Sequence, residues 1–180
     1  MEVPVNCAIE RGVMKAHIFV AVLLLFSLGC TSQPAQPSPQ LTQQQQDQIK
    51  SEVKAVLDSL IAKWAALDAE GFLQSYSTDM VAVGGGVPHD FQAYRRGSID
   101  YLTSTATIAV TTVREDYRVL TTDLVISTWV GKVVRSMKSG DKRTTDQMLY
   151  ADVWKKIGGT WKVIDESPSG TAVIQKAGTN

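Results

Sequence analysis

The chain has 180 residues, with 18 Lys and Arg balanced by 18 Asp and Glu for a formal net charge of zero. A neutral chain without a basic block gives no electrostatic case for nucleic-acid binding. With Cys7 and Cys30 as its cysteines and His17 and His89 as its histidines, it has no disulfide framework and no metal site built from several His or Cys ligands.

The N-terminus reads as an export signal. Met14-Lys15 supplies a positive start, Ile18 to Leu28 an apolar stretch, and Gly29 a small residue before a cut. Residues 1–13 carry Glu2 and Glu10 and no such pattern, so Met14 is the expected start. The apolar run is shorter than the roughly 20 residues of a membrane-spanning helix. Phe26-Ser27-Leu28-Gly29-Cys30 resembles a bacterial lipoprotein signal, with Ser27 where that signal usually has Leu. The resemblance implies a signal peptide over 1–29 and lipidation of Cys30. It also implies a cell-envelope location, anchored in the bacterial outer membrane or at the cell surface. An ordinary cleaved signal with an incidental cysteine is the alternative. Several acyl chains on one cysteine hold a protein stably, where one chain binds marginally. Cleavage removes Glu2, Glu10, Arg11 and Lys15, which keeps the charge balanced, and leaves His89 as the one mature histidine.

Residues 30–48 read as a flexible Gln/Pro/Ser tether. Pro34, Pro37, Pro39 and the Gln43–Gln46 run offer too little apolar surface to offset ordering entropy. The end of that run already suits a helix, because Thr42 and Gln45 have capping-box spacing. The globular domain is expected over 49–170, with 171–180 as a tail. Val53, Val56, Leu57, Leu60, Ile61, Trp64 and Leu67 recur at three- and four-residue steps and predict a long amphipathic helix. A short helix is expected from Asp68 through Phe72, Leu73 and Tyr76, then a strand over Met80–Val83. Gly84-Gly85-Gly86-Val87-Pro88 breaks that strand, and a helix over Phe91–Leu102 follows, burying Ala93, Tyr94, Ile99 and Leu102.

From Thr107 the period becomes that of strands. Strands are expected near Ile108–Leu120, Leu124–Met137, Arg143–Ile157 and Trp161–Ser167, with turns at Thr121-Thr122-Asp123, Ser139-Gly140-Asp141 and Gly158-Gly159. A helical half followed by a meander predicts an α+β fold.

Three segments carry a family resemblance. They are Leu67-Asp68-Ala69-Glu70-Gly71-Phe72, Tyr76-Ser77-Thr78-Asp79, and the closing hairpin from Asp152 through Trp154, Gly158-Gly159 and Trp161 to Val163. Over about residues 45–170 the chain resembles the nuclear transport factor 2-like, or SnoaL-like, superfamily. The resemblance implies a cone-shaped curved antiparallel sheet wrapped around N-terminal helices, an apolar small-molecule pocket, and a homodimer formed through the sheet. The superfamily holds isomerases, dehydratases and cyclases beside binding and assembly domains, and fold alone does not choose among them. Its members often carry a histidine where Asp165 stands here. No cofactor is implied.

The candidate site comes from counting back along the last hairpin. A two-residue turn at Gly158-Gly159 pairs Ile157 with Thr160. Trp154 then faces Val163, Asp152 faces Asp165, and Tyr150 faces Ser167. A turn at Gly140-Asp141 sets Trp129 beside Asp152, Gly131 beside Tyr150 and Arg135 beside Asp146. One sheet face then carries Trp129, Tyr150, Asp152, Trp154, Trp161 and Asp165. If that face is concave, Asp152 and Asp165 are the candidate catalytic acids and Trp129, Tyr150, Trp154 and Trp161 the candidate ligand-binding residues. Facing acids repel, and burial can leave one as a proton donor and the other as an acceptor. If the opposite face is the core side, the acids are solvated or sit at a dimer interface near lysines; a one-residue bulge at the glycines would also separate them. His89-Asp90, Gly84–Gly86 and Arg95-Arg96 read as loop, turn and solvated helix face; Trp64 and Tyr76 read as core. An exported small-molecule-binding domain, an enzyme using paired carboxylates, and an assembly domain remain the three functional readings.

Overall fold

The computed structural model describes residues 40–178. The export segment, Cys30 and most of the tether lie outside the described residues. Helix α1 spans Gln43–Ala65, six residues ahead of the expected domain start. The reason is the capping box. The Thr42 hydroxyl accepts from the Gln45 N–H at 3.3 Å, and the Gln45 side chain accepts from the Thr42 N–H at 2.9 Å. Ile49, Val53, Leu57, Leu60 and Trp64 form its buried stripe. At its C-terminus Leu67 takes φ 59°, and the Asp68 and Leu67 amides donate to the Lys63 and Trp64 carbonyls. This satisfies carbonyls that the helix end would otherwise strand. Asp68 then caps α2, Ala69–Leu73, by accepting from the Gly71 amide at 2.9 Å.

Tyr76 opens strand β1, Tyr76–Gly84, instead of closing α2. Gly85 and Gly86, at φ 61° and 79°, make the tight turn into β2, Val87–Asp90. Asp90 caps α3, Phe91–Thr103, through the Ala93 amide at 2.8 Å. The long strands follow: β3, Thr105–Val119; β4, Leu124–Met137; β5, Lys142–Ile157; and β6, Thr160–Ser169. A short β7, Val173–Gln175, lies within the expected tail and pairs with the start of β5. The sheet runs β2-β1-β6-β5-β4-β3, with β1 parallel to β6 and the other neighbours antiparallel. One face packs on the helices through Val125, Trp129, Val133, Trp154, Trp161 and Val163. This fixes the inner face.

Bulges bend the meander. Val113 is extra in β3, one residue is extra in β5 between Thr145 and Met148, and Ile164 is extra in β6. An inserted residue increases local twist and coils the strand. Among the described residues no helix is long and apolar enough to cross a membrane.

Candidate functional site

The β6 bulge decides which acids meet. The Gly158-Gly159 turn pairs Ile157 with Thr160 and Trp154 with Val163, as counted from the sequence. Beyond Ile164 the ladder slips by one, so Val153 faces Asp165 and Asp152 faces Glu166. A one-residue slip exchanges the faces. Asp165 therefore leaves the proposed acid pair and stands half-buried on the other face, between Val153 and Val81. Glu166 takes its place. The slip occurs at Ile164, away from the glycines.

The β4–β5 pairing also departs from the count, without exchanging faces. The loop spans residues 137–141 and moves the register by three at Arg135; the β5 bulge gives one back, so from Gly131 onward the shift is two. Trp129 faces Tyr150, Ser127 faces Asp152, Gly131 faces Met148, and Arg135 faces Arg143. An even shift preserves alternation, so Trp129, Tyr150 and Asp152 share the inner face.

A cavity of about 300 Å³ lies between this face and the helices. Leu57, Leu60, Ile61 and Trp64 of α1 form one wall, with Phe72 of α2 beside Tyr76 of β1. From α3 come Ala93, Tyr94, Gly97, Ser98 and Tyr101. The sheet supplies Trp129, Tyr150, Asp152, Glu166, Pro168 and, from β2, His89. Trp64 packs edge-on against Trp129 and Tyr150, at centroid distances of 6.4 and 6.0 Å.

Trp154 and Trp161 do not line this cavity. Trp154 is fully buried, and its indole N–H donates to Ser127 Oγ at 2.8 Å. The Trp161 indole donates to Glu52 Oε2 at 3.0 Å, where Lys156 Nζ also donates at 2.7 Å. Those donors hold the Glu52 carboxyl down at about 2 and tie α1 to the β5–β6 hairpin. Both tryptophans thus lie outside the wall on which the sequence placed them.

The polar end is built from four elements. Tyr76 Oη of β1 donates to Glu166 Oε2 at 2.6 Å, and Tyr94 Oη of α3 donates to Oε1 at 2.9 Å. The two phenol rings pack at 4.9 Å. Burial pushes Glu166 up, the phenols pull it back, and it settles at about 7. Burial and then the Glu166 charge push Asp152 well above the carboxylate range, against a lowering hydrogen bond from Ser127. Burial, reinforced by the Glu166 charge, raises both phenols well above their ordinary value, which keeps them donors. Asp152 Oδ1 is buried without a hydrogen-bond partner, and a buried polar atom is ordinarily paired.

At Tyr101 the Arg135 guanidinium lies 3.7 Å over the ring. It donates to Thr105 Oγ1, the Ser104 hydroxyl and the Tyr101 carbonyl at 2.5, 2.7 and 2.7 Å. Burial lowers its pKa. Glu166, Tyr94 and Tyr101 were missed as site residues in the sequence. Tyr94 and Tyr101 lie seven residues apart, on one face of α3, which is the signal that was available for them.

No protein-family model matches the chain, and no curated protein matches it in sequence. Solved structures do match in fold. A candidate scytalone dehydratase from Novosphingobium aromaticivorans superposes with a TM-score of 0.67 at 9% identity, covering 77% of this chain and 94% of that one. A candidate dehydratase of the NTF2-like family from Streptomyces avermitilis gives 0.62 at 12%, covering 69% and 97%. A candidate calcium/calmodulin-dependent protein kinase II association domain from Xanthomonas campestris gives 0.58 at 21%, covering 67% and 86%. The chain has the nuclear transport factor 2-like fold: a curved, unclosed α+β sheet over N-terminal helices.

Proposed function

We propose that the cavity binds a ring-bearing small molecule and that Asp152 and Glu166 move a proton on it. The observation that carries this reading is the buried pairing of Asp152 with Glu166 on the cavity wall, with Asp152 Oδ1 unpartnered. The two acids differ in their partners. Glu166 accepts from two phenols and titrates near neutrality, which suits a general base. Burial and then the Glu166 charge raise Asp152 well above the carboxylate range, which suits a donor to an oxygen of the bound molecule. The open cavity favours a ligand site over an assembly domain, whose hollow its own side chains would fill. Dehydratases among the fold neighbours are consistent with proton transfer.

The test is deuterium uptake from D2O at the carbon beside the carbonyl of a panel of ring-bearing ketones, some neutral and some carrying an ammonium group, using the full-length chain. The expected result is exchange that Asp152→Asn and Glu166→Gln each abolish. Exchange no faster than in buffer, or untouched by both substitutions, would count against the reading.

Two further proposals concern placement. Lipidation at Cys30 would hold the domain at the cell envelope. Labelled fatty acid should enter the chain and be lost with Cys30→Ser. A second copy would pack on the outer sheet face, where Leu149, Ala151, Val153 and Ile164 lie exposed or half-buried. Sedimentation of the wild type and Val153→Lys tests that dimer.

A further inference from the structure

The cavity has acids without a matching cation. Asp152 and Glu166 are 4% and 3% exposed. Of the described residues on the cavity wall none is Lys or Arg, and His89, the one basic side chain there, makes no ion pair with either acid. Arg135 is held against Tyr101 by Thr105 and Ser104 and does not line the wall. Buried charge is ordinarily paired. Here the protein gives Glu166 two neutral phenols and leaves Asp152 Oδ1 with nothing.

The rest of the wall suits what the acids lack. Seven aromatic side chains and three aliphatic residues of α1 line the cavity. Aromatic faces carry negative quadrupolar charge and attract a desolvated cation, and substituted ammonium groups are bound by such cages. An anionic ligand would meet two acids and ring faces of the same sign. A neutral ligand would leave the acids uncompensated.

We propose that the cavity selects a ring-bearing organic cation, a substituted ammonium or a protonated amine. Its charge pairs with the Asp152–Glu166 acids while its apolar body lies against the aromatic wall. The inference deepens the proton-transfer reading by naming the ligand class. When a permanent cation binds the doubly protonated pair, one proton leaves to solvent and the ammonium takes over its charge. When the pair already carries one negative charge, the cation binds without that release and the pair keeps its remaining proton.

The titratable groups around the pair come from every neighbouring element. They are Tyr76 of β1, Tyr94 of α3, Tyr117 of β3, Tyr150 of β5 and Asp165 of β6, with His89 of β2 and Tyr101 of α3 on the same cavity wall. Wall residues of α1 are not titratable. The five phenols are all raised, chiefly by burial, and stay protonated through neutrality.

The test compares three probes on the full-length chain: benzyltrimethylammonium, its uncharged carbon isostere neopentylbenzene, and phenylacetate. Calorimetry at pH 8 is expected to show the ammonium binding about tenfold or more tighter than the isostere, and phenylacetate weakest. Ammonium affinity should rise with pH through about 7, with proton release below that pH in buffers of different ionisation enthalpy. Glu166→Gln should erase the preference for the cation. The wild-type comparison stands even if that variant fails to fold. Equal or tighter binding of the isostere or of phenylacetate, or an affinity flat with pH, overturns the proposal. Binding selectivity is read without turnover, so a failed deuterium exchange with intact cation preference overturns proton transfer alone.

Discussion

The indole N–H of Trp154 donates to the hydroxyl of Ser127, which lies opposite Asp152 on the neighbouring strand. An indole nitrogen only donates, so Ser127 uses a lone pair for Trp154 and its own proton remains available to the carboxyl of Asp152, which it lowers. A buried tryptophan thereby orients the hydroxyl that restrains the acid. Ser127→Ala should push Asp152 further up, because the one lowering hydrogen bond on it is gone. It also strands the Trp154 N–H, at a cost of about 1–3 kcal/mol. Carboxyl NMR titration reads the first effect and denaturant unfolding the second. An unchanged Asp152 titration would show that Ser127 serves Trp154 alone.

The acid pair makes stability depend on pH in a set direction. An unfolded Glu166 gives up its proton near 4.5, whereas the folded one holds it to about 7. Within that window the folded chain binds more protons, so stability falls as pH rises. The loss from Glu166 is on the order of 3 kcal/mol. Asp152, raised in the same sense, adds to it. Glu166→Gln should remove the Glu166 part. Asp152→Asn should stabilise the fold at pH 8 and by less at pH 5, because the unfolded carboxyl ionises from its ordinary 3.8 upward while burial holds the folded one well above that. Urea midpoints across pH 4–8 check both.

Gly131 sets the position of a wall residue two places away. A Cβ there would run into the Trp129 indole and approach the Thr111 carbonyl to 2.9 Å. Trp129 lies along the strand over Gly131, with its N–H donating to Thr112 Oγ1 at 3.0 Å. Gly131→Ala should cost about 1–3 kcal/mol by overpacking and shift the Trp129 emission as the ring is displaced. A neutral substitution with unchanged fluorescence would contradict this arrangement.

Much of the fold was legible because local rules agreed with it. The α1 stripe from Val53 to Trp64, the Thr42–Gln45 cap and the glycine turn at 158–159 all read directly from residue type and spacing. Trp129, Tyr150 and Asp152 share one face as counted because an error of two residues leaves strand alternation intact, while which face is inner was left open by the sequence. Trp154 and Trp161 shared that face without reaching the cavity, since α1 and Ser127 occupy their surroundings. Glu166 could not be read. Its placement depends on one extra residue at Ile164, and nothing in Trp-Lys-Val-Ile-Asp-Glu announces a bulge. Tyr76 and Tyr94 meet Glu166 only through tertiary packing, from 90 and 72 positions away along the chain.

That bulge gives neighbouring acids opposite situations, and the contrast can be measured. Asp165 raises the pKa of both Asp152 and Glu166 from the other face, as a minor contributor behind burial. Asp165→Asn should therefore lower the Glu166 midpoint slightly and leave the Tyr76 and Tyr94 hydrogen bonds in place. Glu166→Gln should abolish the titration near 7 and free both phenols from a charged acceptor. Carboxyl NMR of the two variants, read beside the phenol resonances, distinguishes them. If Asp165→Asn removed the neutral titration and Glu166→Gln did not, β6 would lack its extra residue, and the acid opposite Asp152 would be Asp165.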